Sequence, residues 1–196
     1  EYLSRYIDVS GWDDEKYMAY LRLIEYEVTR SRYSEAITIA FSAVRLKPNW
    51  GEAYFELSKC FYFLAQNGDD PGGNWLRCIH FAEMGLSLPE TKTVLFVDPV
   101  LRSHDIYRYL NVALNNVGRV DDALTAAKKG LSFRFDGPMN SNRILFERFI
   151  SVRKFNDSIS HLVEIGIISD STKQILMDVV SGKASVEKEI SAPQKK

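Results

Sequence analysis

Three histidines (His80, His104, His161), two cysteines (Cys60, Cys78), Ser58 and three acid pairs (Asp13-Asp14, Asp69-Asp70, Asp121-Asp122) are the side chains best suited to chemistry. The histidines fall in three separate segments, and none has a second histidine or cysteine at ligand spacing, so no zinc site is expected. His104 followed by Asp105 has the residue types of an acid-base pair, yet the same two residues suit the polar first turn of a helix, which is the reading adopted. Ser58 lacks the strand-turn-helix setting of an activated nucleophile, and no glycine-rich phosphate loop occurs. Carboxylate pairs can hold a metal-bound sugar nucleotide. Here each pair falls at a predicted turn or helix start, where acids cap backbone N–H groups, and no parallel sheet is expected to orient them. No catalytic, cofactor-binding or metal-ligating residue is therefore assigned, and the chain is read as a non-enzyme without a cofactor.

The composition agrees with that reading. In 196 residues, 45% are hydrophobic and 12% aromatic, and 25 basic side chains nearly cancel 26 acidic ones. A chain of this length buries roughly 70% of its unfolded surface in one domain, with or without an appendage. Near-neutrality argues against nucleic acid or an anionic membrane as partner. Two cysteines are too few for a disulfide framework and are expected to be buried, reduced thiols. No apolar run approaches the roughly 20 residues that span a bilayer, and no basic-then-apolar leader opens the sequence, so a cytoplasmic protein without membrane contact is expected. The first residue is Glu1 rather than methionine, as in a fragment or a processed product.

Whatever binds must be positioned by helices. Asp13 to Arg32 places Tyr17, Tyr20, Leu21, Ile24 and Val28 at helical spacing behind acidic residues suited to a helix start. Tyr33 to Lys47 follows with Ala36, Ala40, Ala43, Val44 and Leu46, and Pro48 stops it. A second pair runs from "WGEAYFELSKCFYFLAQ" through the loop "NGDDPGG" to "NWLRCIHFAEMGLSLP". After the spacer "ETKTVLFVDPVLRS", a third pair is expected near His104 to Val117 and in "GRVDDALTAAKKGLSF". The pairs align with one another. Tyr20, Tyr54 and Tyr107 share a position, each with a leucine three residues on (Leu23, Leu57, Leu110), and the first two tyrosines lie 34 residues apart. Ala36, Cys78 and Ala123 form a small-residue column and Ala43, Gly85 and Gly130 another, where helices can approach closely while large residues fill the surrounding space.

This pattern resembles the tetratricopeptide repeat (TPR), a helix-turn-helix unit of 34 residues. Approximate units are Tyr17 to Trp50, Gly51 to Glu90 with an insertion of about eight residues, and His104 to Gly137. Glu27 stands for an expected aromatic, Asn111 for a small residue and Phe135 for a final proline. The resemblance implies an all-α, TPR-like helical-hairpin solenoid of about three repeats with C-terminal capping helices. It divides the chain into an entry segment (1–15), repeats (16–137), capping helices (138–182) and a disordered tail (183–196), whose "KASVEKEISAPQKK" carries little apolar surface. A narrower resemblance is carried by "GWDDEKYMAYLRL", "LKPNWGEAYFELSK" and "LFVDPVLRSHDIYRYLNVALNNVGR". These are similar to segments that follow family-2 glycosyltransferase domains in bacterial, phage and giant-virus proteins. It implies an accessory role in substrate positioning or oligomerisation, beside a catalytic domain upstream of Glu1, in a full-length glycosyltransferase.

Beyond Gly137, "NSNRILFERFISVRKF" is expected to form a capping helix with Ile144, Leu145, Phe149 and Val152 on its apolar side. Two short helices about Gly166 should follow, the second capped by Ser169 or Asp170, with Ile165 to Val180 as a possible homo-oligomer contact. The loop at 66–74 is read as an insertion in which Gly72 and Gly73 permit positive dihedrals. In TPR proteins the first helices line a concave groove through positions two, five, nine and twelve of each unit. Carried over, these are Met18, Leu21, Glu25 and Val28; Glu52, Phe55, Lys59 and Tyr62; Asp105, Arg108, Val112 and Asn115. Glu25, Glu52, Phe55, Lys59, Tyr62, Arg108 and Asn115 are the candidate partner-binding residues for a protein or peptide. Phe55 and Tyr62 would serve as apolar anchors, with Lys59 and Arg108 pairing with acids. Leu21 and Glu25 disfavour the terminal-carboxylate ligand of chaperone-tail binders in this family.

Overall fold

The structure, a computed structural model, describes residues 5–7 and 11–182. Among these residues the regular structure is all helical, with no strand. The helices are α1 (Asp13–Thr29), α2 (Tyr33–Leu46), α3 (Glu52–Gln66) and α4 (Pro71–Ser87). After a π-helical turn (Leu101–Asp105) come α5 (Ile106–Asn116), α6 (Val120–Phe133), α7 (Gly137–Glu164) and α8 (Asp170–Val180). The expected tail at 183–196 lies outside the described residues, as do parts of the entry segment. The chain divides into two compact units, Glu1–Ile144 and Leu145–Lys196.

In the first unit each odd-numbered helix pairs with the next to make a hairpin, and α2 and α4 pack on the following hairpin. Local chemistry sets the boundaries. Asp13, Asp14 and Glu15 open α1, where the helix dipole favours acids. Lys47 ends α2 just before Pro48, which cannot extend it. The aligned small residues are buried in all three hairpins: Ala36, Cys78, Ala123 and Ala43 are wholly enclosed, and Gly85 and Gly130 are buried. A Cβ on Gly85 would lie 2.5 Å from the Phe55 ring, and one on Gly130 would lie 2.6 Å from the Met139 sulfur, so neither position accepts a larger residue without repacking. The aligned tyrosines differ in burial. Tyr54 is buried, Tyr20 packs at the edge of the Tyr17–Ala43–Ala53 cluster, and Tyr107 sets its Cβ against Gly130.

Four details differ from the sequence expectation. The expected loop Asn67 to Gly73 is shorter than its sequence suggests, an exposed turn of Asn67 to Asp70: Asp70 caps α4 by accepting from the Gly73 N–H (3.2 Å), and Pro71 to Gly73 form the first turn of α4. Positive φ falls on Gly68 and Asp70, not on Gly72 or Gly73. The spacer does not merely join hairpins. Its Thr91 hydroxyl donates to Glu52 Oε2 (2.8 Å) and its Thr93 hydroxyl to Asp14 Oδ2 (2.9 Å), so it runs back to the first hairpin. Arg102 then donates to the carbonyls of Leu86, Leu88 and Pro89, closing the C-terminal end of α4.

The fourth difference concerns α7, which continues through the first of the two short helices expected about Gly166, because nothing from Asn156 to Glu164 breaks it. Its buried residues are Met139, Phe146, Ile150 and Ile159, whereas Ile144, Leu145 and Phe149 are exposed. The apolar stripe therefore follows 139, 146 and 150, rotated from the expected face. In the second unit Gly166, at φ 74°, ends the helix, and Ser169 caps α8 by accepting from the Thr172 N–H (3.2 Å).

Candidate functional site

The first helices of successive hairpins pack on each other, α1 on α3 and α3 on α5, and the second helices do so less. α1, α3 and α5 thus form one row, the inner row of the expected groove. Glu25 is exposed on α1, Lys59 and Tyr62 are partly exposed on α3, and Arg108 and Asn115 are exposed on α5. Glu52 and Phe55 depart from the expectation. Both are buried, at 4% and 3% exposure. Phe55 turns inward because Gly51 and Gly85 leave room for its ring, and Glu52 faces the spacer. Glu52 lines an open cavity of about 440 Å³ with Leu86, Arg102, Tyr107 and Phe133, on the spacer side. Neither residue is available as a partner anchor. Met18, another expected groove position, lines a cleft of about 390 Å³ with Leu95 and Phe96 of the spacer.

Along the inner row two neighbouring clefts meet at Tyr109. One is small, bounded by Phe55, Glu56, Lys59, Asp105 and Tyr109. The other, of about 270 Å³, is walled by Tyr62, Phe63, Arg108, Tyr109, Asp136 and Asn142, among others. Tyr62 and Tyr109 hold their ring centroids 5.0 Å apart, and Phe63 lies 6.0 Å from Tyr109. Asn111 donates to the carbonyls of Tyr107 (2.6 Å) and Arg108 (2.8 Å) and accepts from Asn142 (2.9 Å), which explains a polar residue at a small-residue position.

The charges here are already paired within the chain. Lys59 Nζ lies 3.2 Å from Glu56 Oε2, and Arg108 Nε lies 3.0 Å from Asp136 Oδ2. Asp136 also accepts from the Met139 N–H (2.8 Å), capping α7. Burial pushes the Glu56 carboxyl up; Lys59 pulls it back, while Glu25 and Asp105 add to the rise. Burial alone would depress Lys59, but Glu56, with Tyr109 and Cys60, outweighs it and holds the ammonium above its usual range. His104, 1% exposed, sets Nδ1 2.9 Å from Asp105 Oδ1; its buried Nε2 has no hydrogen-bond partner and stands 3.8 Å from Asp136 Oδ2.

The remaining candidates for chemistry serve local structure. Asp14 pairs with Lys47 (2.7 Å), Asp70 with Arg77 (2.9 Å) and Asp122 with Arg119 (2.7 Å). The Lys47 and Thr93 hydrogen bonds hold the Asp14 carboxyl below its ordinary range. Ser58 donates to the Cys78 carbonyl (2.8 Å) inside the second hairpin. Cys60 and Cys78 are free and buried, and burial pushes both thiols up to about 12. Among the described residues no group of three or more His, Cys, Asp or Glu is arranged to hold a metal, and no helix is long and apolar enough to cross a membrane. Glu56, Tyr109 and Asp136 were not singled out from sequence. A signal did exist for Tyr109, which stands four residues after Asp105 and so shares its helix face.

Set against known proteins, the chain matches no family model and no curated protein.

Proposed function

We propose that this chain is a non-catalytic, TPR-like scaffold that binds a protein segment along the inner row of its first helices. What carries the proposal is the cleft where Tyr62, Tyr109, Arg108 and Asp136 converge from α3, α5 and the α6–α7 turn, beside Lys59 and Glu56. Recognition of an extended or helical segment needs apolar area with a few fixed polar groups, and half-buried tyrosines supply both. The three hairpins repeat one burial register, so the inner row is rigid before a partner arrives, which lowers the ordering cost of binding. Tyr62 and Tyr109 replace Phe55 as the aromatic anchors.

The test is capture of partners from a lysate of the source cell by immobilised protein, followed by mass spectrometry. Tyr62→Ala combined with Tyr109→Ala should abolish the specific capture seen with the parent chain, at unchanged helical circular dichroism. Phe41→Ala and Leu76→Ala, on the second helices, should leave it intact. Capture unaffected by the tyrosine substitutions would overturn the groove. Recovery of a sugar-transferring protein through this groove would support the accessory role that the narrower resemblance implies.

A further inference from the structure

We propose that two copies of this chain pair through α7, each laying a stripe that begins at Leu145 and Phe149 along the same stripe of the other, in the opposite direction. The reading is independent of the groove. Within the second unit, Leu145, Phe149, Val152, Asn156, Ile159 and Val163 recur at alternating spacings of four and three. That spacing sets them on one side of the helix, in the register by which paired helices interlock. The stripe is only partly covered. Ile159 is buried, whereas Leu145 is 60% and Phe149 54% exposed. α8 buries none of its residues either, although Ile175, Leu176 and Val179 share one of its faces. Two helices leave such faces open, and a bundle of four closes them. In sequence, 183–196 offers Val186 and Ile190 but no leucine, methionine or aromatic, too little apolar surface for the task.

Two observations select a second copy as the occupant. Asn156 stands in the middle of the stripe; it is partly buried, and its Oδ1 is enclosed without a hydrogen-bond partner. A lone asparagine in such a seam costs stability and fixes how the helices pair. An amide both donates and accepts, so it is complementary to another amide, and a two-fold axis passing near Asn156 provides one. The charges give the direction. From Leu145 to Asn156 the charged side chains are Glu147, Arg148, Arg153 and Lys154; from Asn156 to the end of α7 they are Asp157, His161 and Glu164. The first part is net positive and the second, with His161 neutral, net negative, so the helix complements itself only when reversed. Laid in the same direction, Arg148 would face Arg153 of the other copy across the seam. Exposed ion pairs add little affinity, so charge sets the direction and the apolar stripe supplies the hold.

The stripe is short, so association should be weak, in the micromolar range. The test is the mass of the full chain by light scattering from about 1 to about 300 μM, which brackets that range. The parent should pass from one chain mass to two. Pairing joins chains that are already folded, so stability in dilute solution does not depend on it. Leu145→Asp and Phe149→Asp, at exposed positions, should each hold the chain at one mass with unchanged helical circular dichroism. Phe96→Asp, on a spacer phenylalanine that is 80% exposed, should leave pairing intact. Arg153→Glu and Asp157→Arg should each weaken self-pairing by roughly threefold or more, and the two variants mixed should pair with each other more tightly than either with itself. Hydrogen exchange in the parent needs no variant: protection over 145–163 should rise with concentration, while that of α1 to α6 should not. One chain mass and unchanged exchange throughout would overturn the proposal. So would a dimer that Leu145→Asp and Phe149→Asp leave intact, or one that Phe96→Asp breaks equally. A mixture of the charge variants that pairs no better than its parts would overturn the reversed direction.

Discussion

Phe55 shows how one residue can be assigned to the right helix and the wrong face. Its place in the expected repeat unit would point it into the groove, but Gly51 and Gly85 leave a hole behind it, and the ring fills that hole. A missing side chain on a different helix decided the direction, which a periodicity on α3 alone cannot reveal. Phe55→Ala should cost about 3–5 kcal/mol in urea unfolding. Phe149→Ala, at an exposed position, should cost less than about 1 kcal/mol. The buried state of the cysteines was legible, Cys78 from its small-residue column and both from being too few for a disulfide framework, and their titration has a definite sign. Both thiols are pushed up to about 12 from 9.0, so between those pH values the folded chain holds protons that the unfolded chain has lost. Stability therefore falls as pH rises above about 9, and burial of the Tyr17 hydroxyl, which raises its pKa, adds to the fall. Urea midpoints measured across that range should decline for the parent and decline less for the Cys60→Ala, Cys78→Ala double variant.

At the scale of elements, helix existence was written in the spacing of apolar residues, whereas helix ends and the spacer depended on long-range partners. The first short helix beyond Asn156 merged into α7 for want of any breaker, while Gly166 and Ser169 ended α7 and began α8 where their residue types dictate. "ETKTVLFVDPVLRS" reads as a connector because neither Glu52 nor Asp14, its anchoring acids, is near in sequence. The residue that holds the connector is Arg102, whose guanidinium satisfies carbonyls that α4 leaves open at its end. Arg102→Ala should cost about 1.5–3 kcal/mol, the range for hydrogen bonds to a charged group. Hydrogen exchange is the sharper readout. Protection should fall first in residues 88–105 and in the last turn of α4, with α1 and α2 keeping theirs.

For the first unit as a whole, the helical hairpins and the burial of the small residues in both columns were legible, yet the charges of the site were not. Asp136 reaches Arg108 and the neighbourhood of His104 only because α7 starts where α6 turns back. The proposed stacked array carries an expectation about cooperativity, because in such an array each hairpin is stabilised chiefly by its neighbours. The second hairpin is enclosed on both sides, and α3 buries almost every residue from Glu52 to Phe61, whereas α1 buries Tyr17, Ala19 and Ile24. One bond ties the first hairpin to it with particular economy: the Tyr17 hydroxyl accepts from the Ala53 N–H (2.9 Å), satisfying a donor that the start of α3 would otherwise leave open in the core. Tyr17→Phe keeps the ring, its edge contact with Trp50 and the packing against Ala43 and Ala53, and removes that acceptor together with the long bond the hydroxyl donates to the Trp50 carbonyl (3.5 Å). The loss should be about 1–2 kcal/mol. In an array it need not spread evenly. Exchange protection in α1 and α2 should drop by roughly five- to thirtyfold, as that energy requires, while α3 to α6 stay protected and the first hairpin melts ahead of the rest. A uniform drop across α1 to α6 would mean that the first unit unfolds all at once, and that the hairpins are not separable steps of a stack.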